Sequence, residues 1–220
     1  MKILLATASP DDVRWAHENG LIDGVVTTPG LLAAADDGRG WQAQLGELAH
    51  VAAGPVFAAV GAIDGRDIYR EGRELAKVSD QLVLQIPMVE DAIVAVRKLS
   101  ADGVRVAATL VFTAAQAVLA AKAGASMIAV DLAVLDAVGA HGVDVVREVR
   151  AVLDADGTGC DVVAMMPRDA TQFADCVMAG ADTLVVSTGV LRALLVHPLT
   201  DRGVDQLLNE LSKQPRVRAP

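Results

Sequence analysis

The 220-residue sequence is 53% hydrophobic, 21% charged and only 3% aromatic, which is typical of one globular domain and not of a disordered or fibrous chain. Its 19 Lys and Arg residues against 28 Asp and Glu residues give a formal net charge of −9. This acidity argues against a nucleic-acid or anionic-membrane partner, because both require clustered positive charge. We therefore expect the partner to be a small-molecule ligand.

Targeting and redox signals favour a cytoplasmic protein. The apolar run after Lys2 is shorter than the apolar region of a signal peptide and far below the roughly 18 residues of a membrane span. Cys160 and Cys176 lack the number and spacing of a disulfide framework or zinc site, which suits reduced thiols. The sequence accordingly predicts a cytoplasmic location.

Short apolar runs rich in β-branched residues alternate with amphipathic stretches of helical period. The runs predict eight strands, at Ile3–Ala6, Gly24–Thr28, Val56–Val60, Leu82–Ile86, Val104–Val111, Met127–Val130, Asp161–Met166 and Thr183–Ser187. The clearest helical stretches are Glu90–Leu99, Thr113–Ala123, Val143–Leu153 and Ala170–Ala179. Strand followed by helix, repeated in this way, predicts an α/β fold, a single-domain (β/α)8 TIM barrel. A doubly wound open sheet is the alternative.

Three glycines mark predicted helix ends. Gly103, Gly124 and Gly180 each follow a helical stretch and precede a strand. A residue with left-handed backbone is common at the carboxyl end of a helix, and glycine adopts that conformation readily. We therefore expect left-handed glycines at these three helix ends.

The carboxyl-terminal region predicts an element beyond the eight units. The segment Leu191 to Leu211 is consistent with two helices broken at His197-Pro198, the second being an extra helix, Asp201–Leu211. That helix carries apolar residues at positions 204, 207, 208 and 211, a stripe that predicts contact with a neighbouring copy in a homo-oligomer. Residues 212–220 are expected to form a frayed tail.

Three segments carry a family resemblance: Gly24-Val25-Val26-Thr27-Thr28-Pro29, the block from Val104 to Gln116, and the block from Asp175 to Asp182. Through these segments the chain resembles the small transaldolases and fructose-6-phosphate aldolases over essentially its whole length. The resemblance implies a barrel that makes and breaks carbon–carbon bonds through an imine between a substrate ketone and a lysine at the end of strand four.

The resemblance places Gln85 at the position of that lysine, and an amide cannot form an imine. Further positions depart from the family pattern: Ala6, Thr28, Ala59, Asp131, Val134 and Met166. Thr109 and Phe112 match it. We therefore expect a transaldolase-like barrel that has lost the family reaction and been repurposed, using acid–base or electrostatic catalysis on a small carbonyl-containing metabolite. The alternative is a non-catalytic binding or scaffold protein.

Candidate catalytic residues lie at the predicted carboxyl ends of the strands, where barrels of this kind hold their active sites. Asp131 interrupts an apolar run at a pocket-facing position and is the candidate acid or base, with a structural carboxylate bonded to Thr109, Thr28 or loop amides as the alternative. Gln85 and Thr109 are candidate polar contacts. His141, in a glycine-flanked loop, is the candidate proton exchanger, or is merely exposed.

Substrate-binding candidates complete the predicted mouth. They are Thr27, Thr28, Phe112, Met166, Arg168 and Ser187. Arg168 suits a carboxylate-bearing ligand, although pairing with Asp169 would explain it equally well. No nucleotide-binding or metal-binding motif is present in the sequence, so no cofactor and no metal are expected.

Overall fold

The computed structural model describes residues 1–36, 38–52 and 54–213, and it shows one closed barrel of eight parallel strands in chain order. The strands are β1 (Lys2–Ala6), β2 (Gly24–Val26), β3 (Val56–Ala59), β4 (Leu82–Pro87), β5 (Val106–Thr109), β6 (Met127–Asp131), β7 (Asp161–Met165) and β8 (Thr183–Ser187). β1 pairs with both β2 and β8, which closes the ring. The predicted TIM barrel is thus confirmed and the open sheet is excluded.

Helices surround the barrel. They are α1 (Pro10–Glu18), α2 (Pro29–Ala34), α3 (Trp41–Ala52), α4 (Gly65–Leu75), α5 (Ala92–Ala101), α6 (Ala114–Ala123), α7 (Leu132–Ala137), α8 (Gly142–Asp156), α9 (Ala170–Met178), α10 (Thr188–Leu194) and α11 (Pro198–Lys213). Within the described residues, no helix is long and apolar enough to cross a membrane.

The core has two layers because successive strand residues point to opposite faces. Leu5 and the outward-facing residues of the other strands pack against the helices in a large cluster. Leu4, Phe57 and Val83 belong to a second, smaller cluster that fills the barrel interior. The interior is therefore packed side chain against side chain, and a ligand has access only where the strands end.

Four predicted strands end earlier than expected: β2 ends at Val26 and not at Thr28, β3 ends at Ala59 and not at Val60, and β5 and β7 are also shorter. The last two have a local cause. β5 ends at Thr109 and not at Val111, and β7 ends at Met165 and not at Met166. The reason is the backbone of the next residue, since Leu110 has a φ of 55° and Met166 a φ of 59°. Positive φ takes the chain out of the extended region and so stops the strand. A residue with a side chain pays in strain for such a conformation, and strain of this kind clusters at functional sites.

The predicted helix-ending glycines are left-handed, with φ of 80° at Gly103, 102° at Gly124 and 93° at Gly180. Gly124 also faces a close neighbour, since a Cβ atom there would lie 2.7 Å from Ser100 Oγ. A larger residue at this position would meet both backbone strain and a clash.

The carboxyl-terminal helices confirm the predicted break. α10 ends at Leu194, and α11 begins at Pro198. α11 extends beyond the predicted Asp201–Leu211 at both ends, so Ser212 and Lys213 of the predicted frayed tail are helical, and the rest of that tail lies outside the described residues. Every residue of α11 is exposed.

Both cysteines are unpaired and buried. Loss of contact with water raises the pKa of each thiol to about 11, Cys160 and Cys176 alike. The two thiols are therefore protonated at neutral pH.

Candidate active site

Three of the predicted site residues point into the mouth of the barrel. Val83, Ala107 and Ala129 belong to the interior cluster, and side chains two residues further along a strand point the same way. Gln85, Thr109 and Asp131 hold those positions on the neighbouring strands β4, β5 and β6. The structure thus brings together the three side chains at the carboxyl end of the barrel.

Gln85 is buried and hydrogen-bonded to the residue that follows β2. It is only 6% exposed, and its Nε2 donates a hydrogen bond to the Thr27 carbonyl at 2.8 Å. Its Oε1 has no hydrogen-bond partner in the described part of the chain. The amide is therefore fixed in orientation, and its Oε1 offers an acceptor to a ligand.

Asp131 caps a helix with one oxygen and leaves the other unbonded. Its Oδ1 accepts the Val134 N–H at 3.2 Å, which is the N-cap bond of α7. Its Oδ2 carries no hydrogen bond or ion pair within the described ranges. The carboxylate thus has a structural role, although through a first-turn amide of α7 and not through Thr109, Thr28 or a loop amide, while one oxygen stays available for chemistry. The Thr109 hydroxyl likewise has no hydrogen-bond partner within those ranges.

Capping by the residue at the strand end recurs around the mouth. Thr28 follows β2 and accepts the Leu31 N–H, and Ser187 ends β8 and accepts the Val190 N–H, each at 3.2 Å. Like Asp131, each is followed directly by a short helix. Three even-numbered strands therefore lead straight into helices through a polar side chain at the mouth.

Two odd-numbered strands lead into matching loops. After β5, the left-handed Leu110 is followed by Thr113, which caps α6, and Gln116 Oε1 accepts the Phe112 N–H at 3.0 Å. After β7, the left-handed Met166 is followed by Asp169, which caps α9, and Gln172 Oε1 accepts the Arg168 N–H at 2.9 Å. We call these two segments, 109–116 and 165–172, the twin loops.

The residues that build the twin loops were not singled out from the sequence. Leu110, Gln116 and Gln172 support the loops that flank the strand of Asp131. A signal for them was present, because Thr113 to Gln116 and Asp169 to Gln172 both fit the spacing of a helix-start capping box. In this structure each glutamine instead accepts the N–H of the residue before the cap.

The predicted residues His141 and Arg168 lie in a separate cluster centred on Asp136. Arg168 Nη1 lies 2.9 Å from Asp136 Oδ2, and its Nε lies 3.3 Å from Asp169. His141 is exposed before α8 and makes no capping bond with its side chain. The pKa of Asp136 lies below its usual value, chiefly because Gln172 donates to its carboxylate. Arg168 is thus paired as the structural alternative anticipated.

The remaining binding candidates have different surroundings. Thr27 is fully buried, and its hydroxyl donates to the Phe57 carbonyl at 2.8 Å. Phe112 packs against the outer core, while the half-buried Met166 occupies the left-handed position of its loop. The structure therefore does not place the side chains of Thr27 and Phe112 in the inner mouth, although the Thr27 carbonyl contacts Gln85.

The five lysines of the chain lie away from the mouth. Lys2 begins β1 at the opposite end of the barrel, and Lys213 ends α11. The others are on or next to helices and contact neighbours there: Lys77 pairs with Glu74, Lys98 lies over Tyr69 and Lys122 pairs with Asp156. Among the described residues, no group of three or more His, Cys, Asp and Glu side chains is arranged to hold a metal.

Comparison with known proteins identifies the family. The family model described as Transaldolase/Fructose-6-phosphate aldolase matches residues 3–218. A protein of Hyphomonas neptunium named "Probable transaldolase" is 37% identical, with 97% of this chain and 98% of that protein covered. A protein of the same name from Thermodesulfovibrio yellowstonii is 35% identical, with 97% and 99% covered.

These matches overturn one expectation from the sequence. The chain was expected to have left the transaldolase reaction for a repurposed activity or a scaffold role, on the strength of the residues at Gln85 and the other departing positions. Full-length relatives named as transaldolases point instead to transaldolase function, and the departures at single positions do not outweigh similarity along the whole chain. The chain therefore belongs to the transaldolase/fructose-6-phosphate aldolase family.

Proposed function

We propose that this chain is an enzyme of the transaldolase type, which breaks and forms the bond between the α- and β-carbons of a polyhydroxylated ketone. The observation that carries the proposal is the family match over residues 3–218. Two acceptors at the barrel mouth support it, Gln85 Oε1 and Asp131 Oδ2, both without a partner in the described structure. Substrate hydroxyl groups are donors that suit them.

In the proposed reaction Asp131 moves the proton. Its Oδ2 takes the proton from the substrate hydroxyl on the β-carbon, the far carbon of the bond to be broken. That bond then breaks, an aldehyde leaves, and the electron pair passes to the ketone oxygen. The Thr109 hydroxyl donates a hydrogen bond to this developing negative charge, which stabilises it. Addition of the remaining fragment to a second aldehyde reverses the steps and completes a transfer.

The ketone is activated in this proposal by hydrogen bonding and not by an imine. Gln85 has no amine, and the five lysines lie on helices or at the far end of the barrel. In this proposal His141 and Arg168, which lie in the Asp136 cluster, form part of the outer rim of the mouth. We further propose that the protein works in the cytoplasm as a homo-oligomer, as the sequence predicts.

The test is a product assay with purified protein. Fructose 6-phosphate is supplied alone, for cleavage, and together with an aldose phosphate acceptor, for transfer, and products are followed by mass spectrometry. We expect ketose cleavage or transfer in the wild type, and no mass increase at any lysine after borohydride reduction. Absence of product with every ketose and aldehyde pair would overturn the activity. A trapped lysine adduct would overturn the mode of ketone activation alone.

A further inference from the structure

A second cavity lies outside the barrel interior, beside the end of β3. It has a volume of about 390 Å³ and lies between α2, α3 and α4. This volume falls in the range of small-molecule sites, roughly 300–1,000 Å³. Its walls are mainly apolar, from Leu32, Leu45, Ala58 and Leu75. We call it the β3 cavity.

Trp41 adds an aromatic surface to the β3 cavity. It begins α3, lines the cavity and is 39% exposed. The other tryptophan, Trp15, is covered by the guanidinium of Arg192 at 3.8 Å from its ring. Trp41 has no such cation over its ring among the described residues, and an exposed indole face attracts an organic cation.

Three polar side chains of the cavity present acceptor oxygens. Gln44 is only 7% exposed, its Nε2 donates to the Leu32 carbonyl, and its Oε1 has no partner in the described part of the chain. Glu71 accepts the N–H groups of Gly61 and Ala62, and Asp36 accepts the N–H of Gly38. Gln44 Oε1 and the two carboxylates thus give the cavity acceptor oxygens and negative charge, which suit a positively charged hydrogen-bond donor.

Basic side chains nearby are directed to other carboxylates. None of the residues that line the β3 cavity in the described structure is Lys, Arg or His. Arg39 pairs with Glu47 at 2.8 Å, and Arg70 pairs with Asp67 at 2.7 Å. The negative charge of Asp36 and Glu71 is thus not balanced from the rim, and an entering cation would meet a favourable potential.

We propose that the β3 cavity binds a small organic cation, an ammonium group carried on an apolar or aromatic body. The apolar walls take the body. The ammonium group donates to Gln44 Oε1 and offsets part of the negative charge of Asp36 and Glu71, with the Trp41 ring beside it. This ligand is distinct from the polyhydroxylated ketone of the barrel mouth, so its binding stands independently of the proposed reaction.

The experiment compares three probes of similar size: phenethylammonium, 2-phenylethanol and 3-phenylpropanoate. Binding is followed by tryptophan fluorescence in a Trp15→Phe background and checked by calorimetry. We expect phenethylammonium to bind about fivefold or more tightly than the neutral alcohol, since charge and ring attraction both favour it. The anion should bind weakest. Equal affinity for all three probes, or no binding of any, would overturn the proposal, including the case in which a second copy covers the cavity.

Variants locate the site. Asp36→Asn should weaken phenethylammonium binding several-fold, and Asp11→Asn, the same charge change on exposed α1, should not. Ala33 is exposed at the cavity edge, so Ala33→Phe should block entry without disturbing the core. Binding that persists in Ala33→Phe with an unchanged melting temperature would place the cation elsewhere and overturn the assignment.

Discussion

At the scale of single residues, Asp131 combines two tasks in one carboxylate. Oδ1 accepts the first-turn N–H of α7, while Oδ2 faces the mouth without a partner in the described chain. A residue with one task would tolerate a wider set of replacements. The two oxygens allow the tasks to be separated by substitution, because asparagine is a good N-cap but a poor base.

Asp131→Asn should therefore keep the fold and lower turnover by about 10²- to 10⁴-fold, the usual contribution of an acid or base. Asp131→Ala should lose turnover and also about 1 kcal/mol of stability, because the cap is gone. Thermal melts beside the product assay separate the two effects. Ser9→Ala, which removes the cap of α1, is the control for stability loss alone. Wild-type turnover in Asp131→Asn would remove the residue from the reaction.

At the scale of elements, the twin loops show how the barrel holds residues in an unfavourable conformation. Leu110 and Met166 both have positive φ, which a residue with a side chain adopts only when its surroundings enforce it. In each loop a helix cap and a returning glutamine bind the chain on the far side of that residue. The loop after β7 has an additional tie, because Gln172 Nε2 donates to Asp136 Oδ2 at 2.7 Å.

Gln172→Ala should therefore destabilise the protein more than Gln116→Ala. Gln172 is 4% exposed, and its loss leaves the Arg168 N–H without its side-chain acceptor and removes one of the donors to Asp136. We expect about 1–3 kcal/mol for Gln172→Ala and less for Gln116→Ala. Chemical denaturation of the two variants beside the wild type measures the difference. Equal losses would show that the contact with Asp136 contributes nothing.

The hydrogen bond between Gln172 and Asp136 should also make the stability difference between wild type and Gln172→Ala depend on pH. Gln172 helps to hold the pKa of Asp136 below its usual value, so the stabilisation is present above the unfolded-state pKa and is lost as the pH falls through the folded-state pKa. The stability gap between wild type and Gln172→Ala should accordingly narrow below about pH 4. A gap that is constant down to pH 3 would contradict this origin.

The sequence predicted the elements better than it predicted their ends. Alternating apolar runs identified the eight strands, because burial on both faces is a property of local composition. The predicted strand ends beyond Thr109 and Met165 were wrong because Leu110 and Val111 are as suited to a strand as their neighbours. β5 and β7 stop because of the contacts that Gln116 and Gln172 make in the loops that follow. Local residue propensities do not predict such contacts. Gln85, Thr109 and Asp131 were predicted at the mouth from the predicted strand ends and the family resemblance, and strand alternation in the structure points them inward there.

At the scale of the whole molecule, α11 stands apart from the barrel. The barrel is closed by β1 and β8, yet the 16 residues of α11 are all exposed. Val204, Leu207, Leu208 and Leu211 are each about half exposed, between 48% and 58%. Burial of such an apolar stripe against another surface is favourable by roughly 25 cal/mol for each Å² of apolar surface removed from water.

We therefore expect a homo-oligomer in which α11 contacts a second copy. Leu207→Glu together with Leu211→Glu should shift the mass measured by light scattering toward the monomer, because the stripe then carries charge. Asp201→Lys with Asp205→Lys, two charge changes on polar positions of the same helix, is the control and should leave the assembly intact. A wild-type protein with monomer mass in dilute buffer would refute the expectation.

The caps at Thr28, Asp131 and Ser187 restrict how this mouth can evolve. At each position the side chain must accept an N–H from the following helix, which favours a small alphabet of serine, threonine, aspartate and asparagine. Hydroxyl, carboxylate and amide groups can thus be exchanged among the three positions with little loss of stability. An amine or imidazole at these positions would remove the N-cap and destabilise the first turn of the helix. Libraries confined to that alphabet should retain folded members while sampling different proton-transfer groups. New cationic chemistry would have to enter at strand ends that carry no such cap, namely Gln85 on β4 or the ends of the odd-numbered strands.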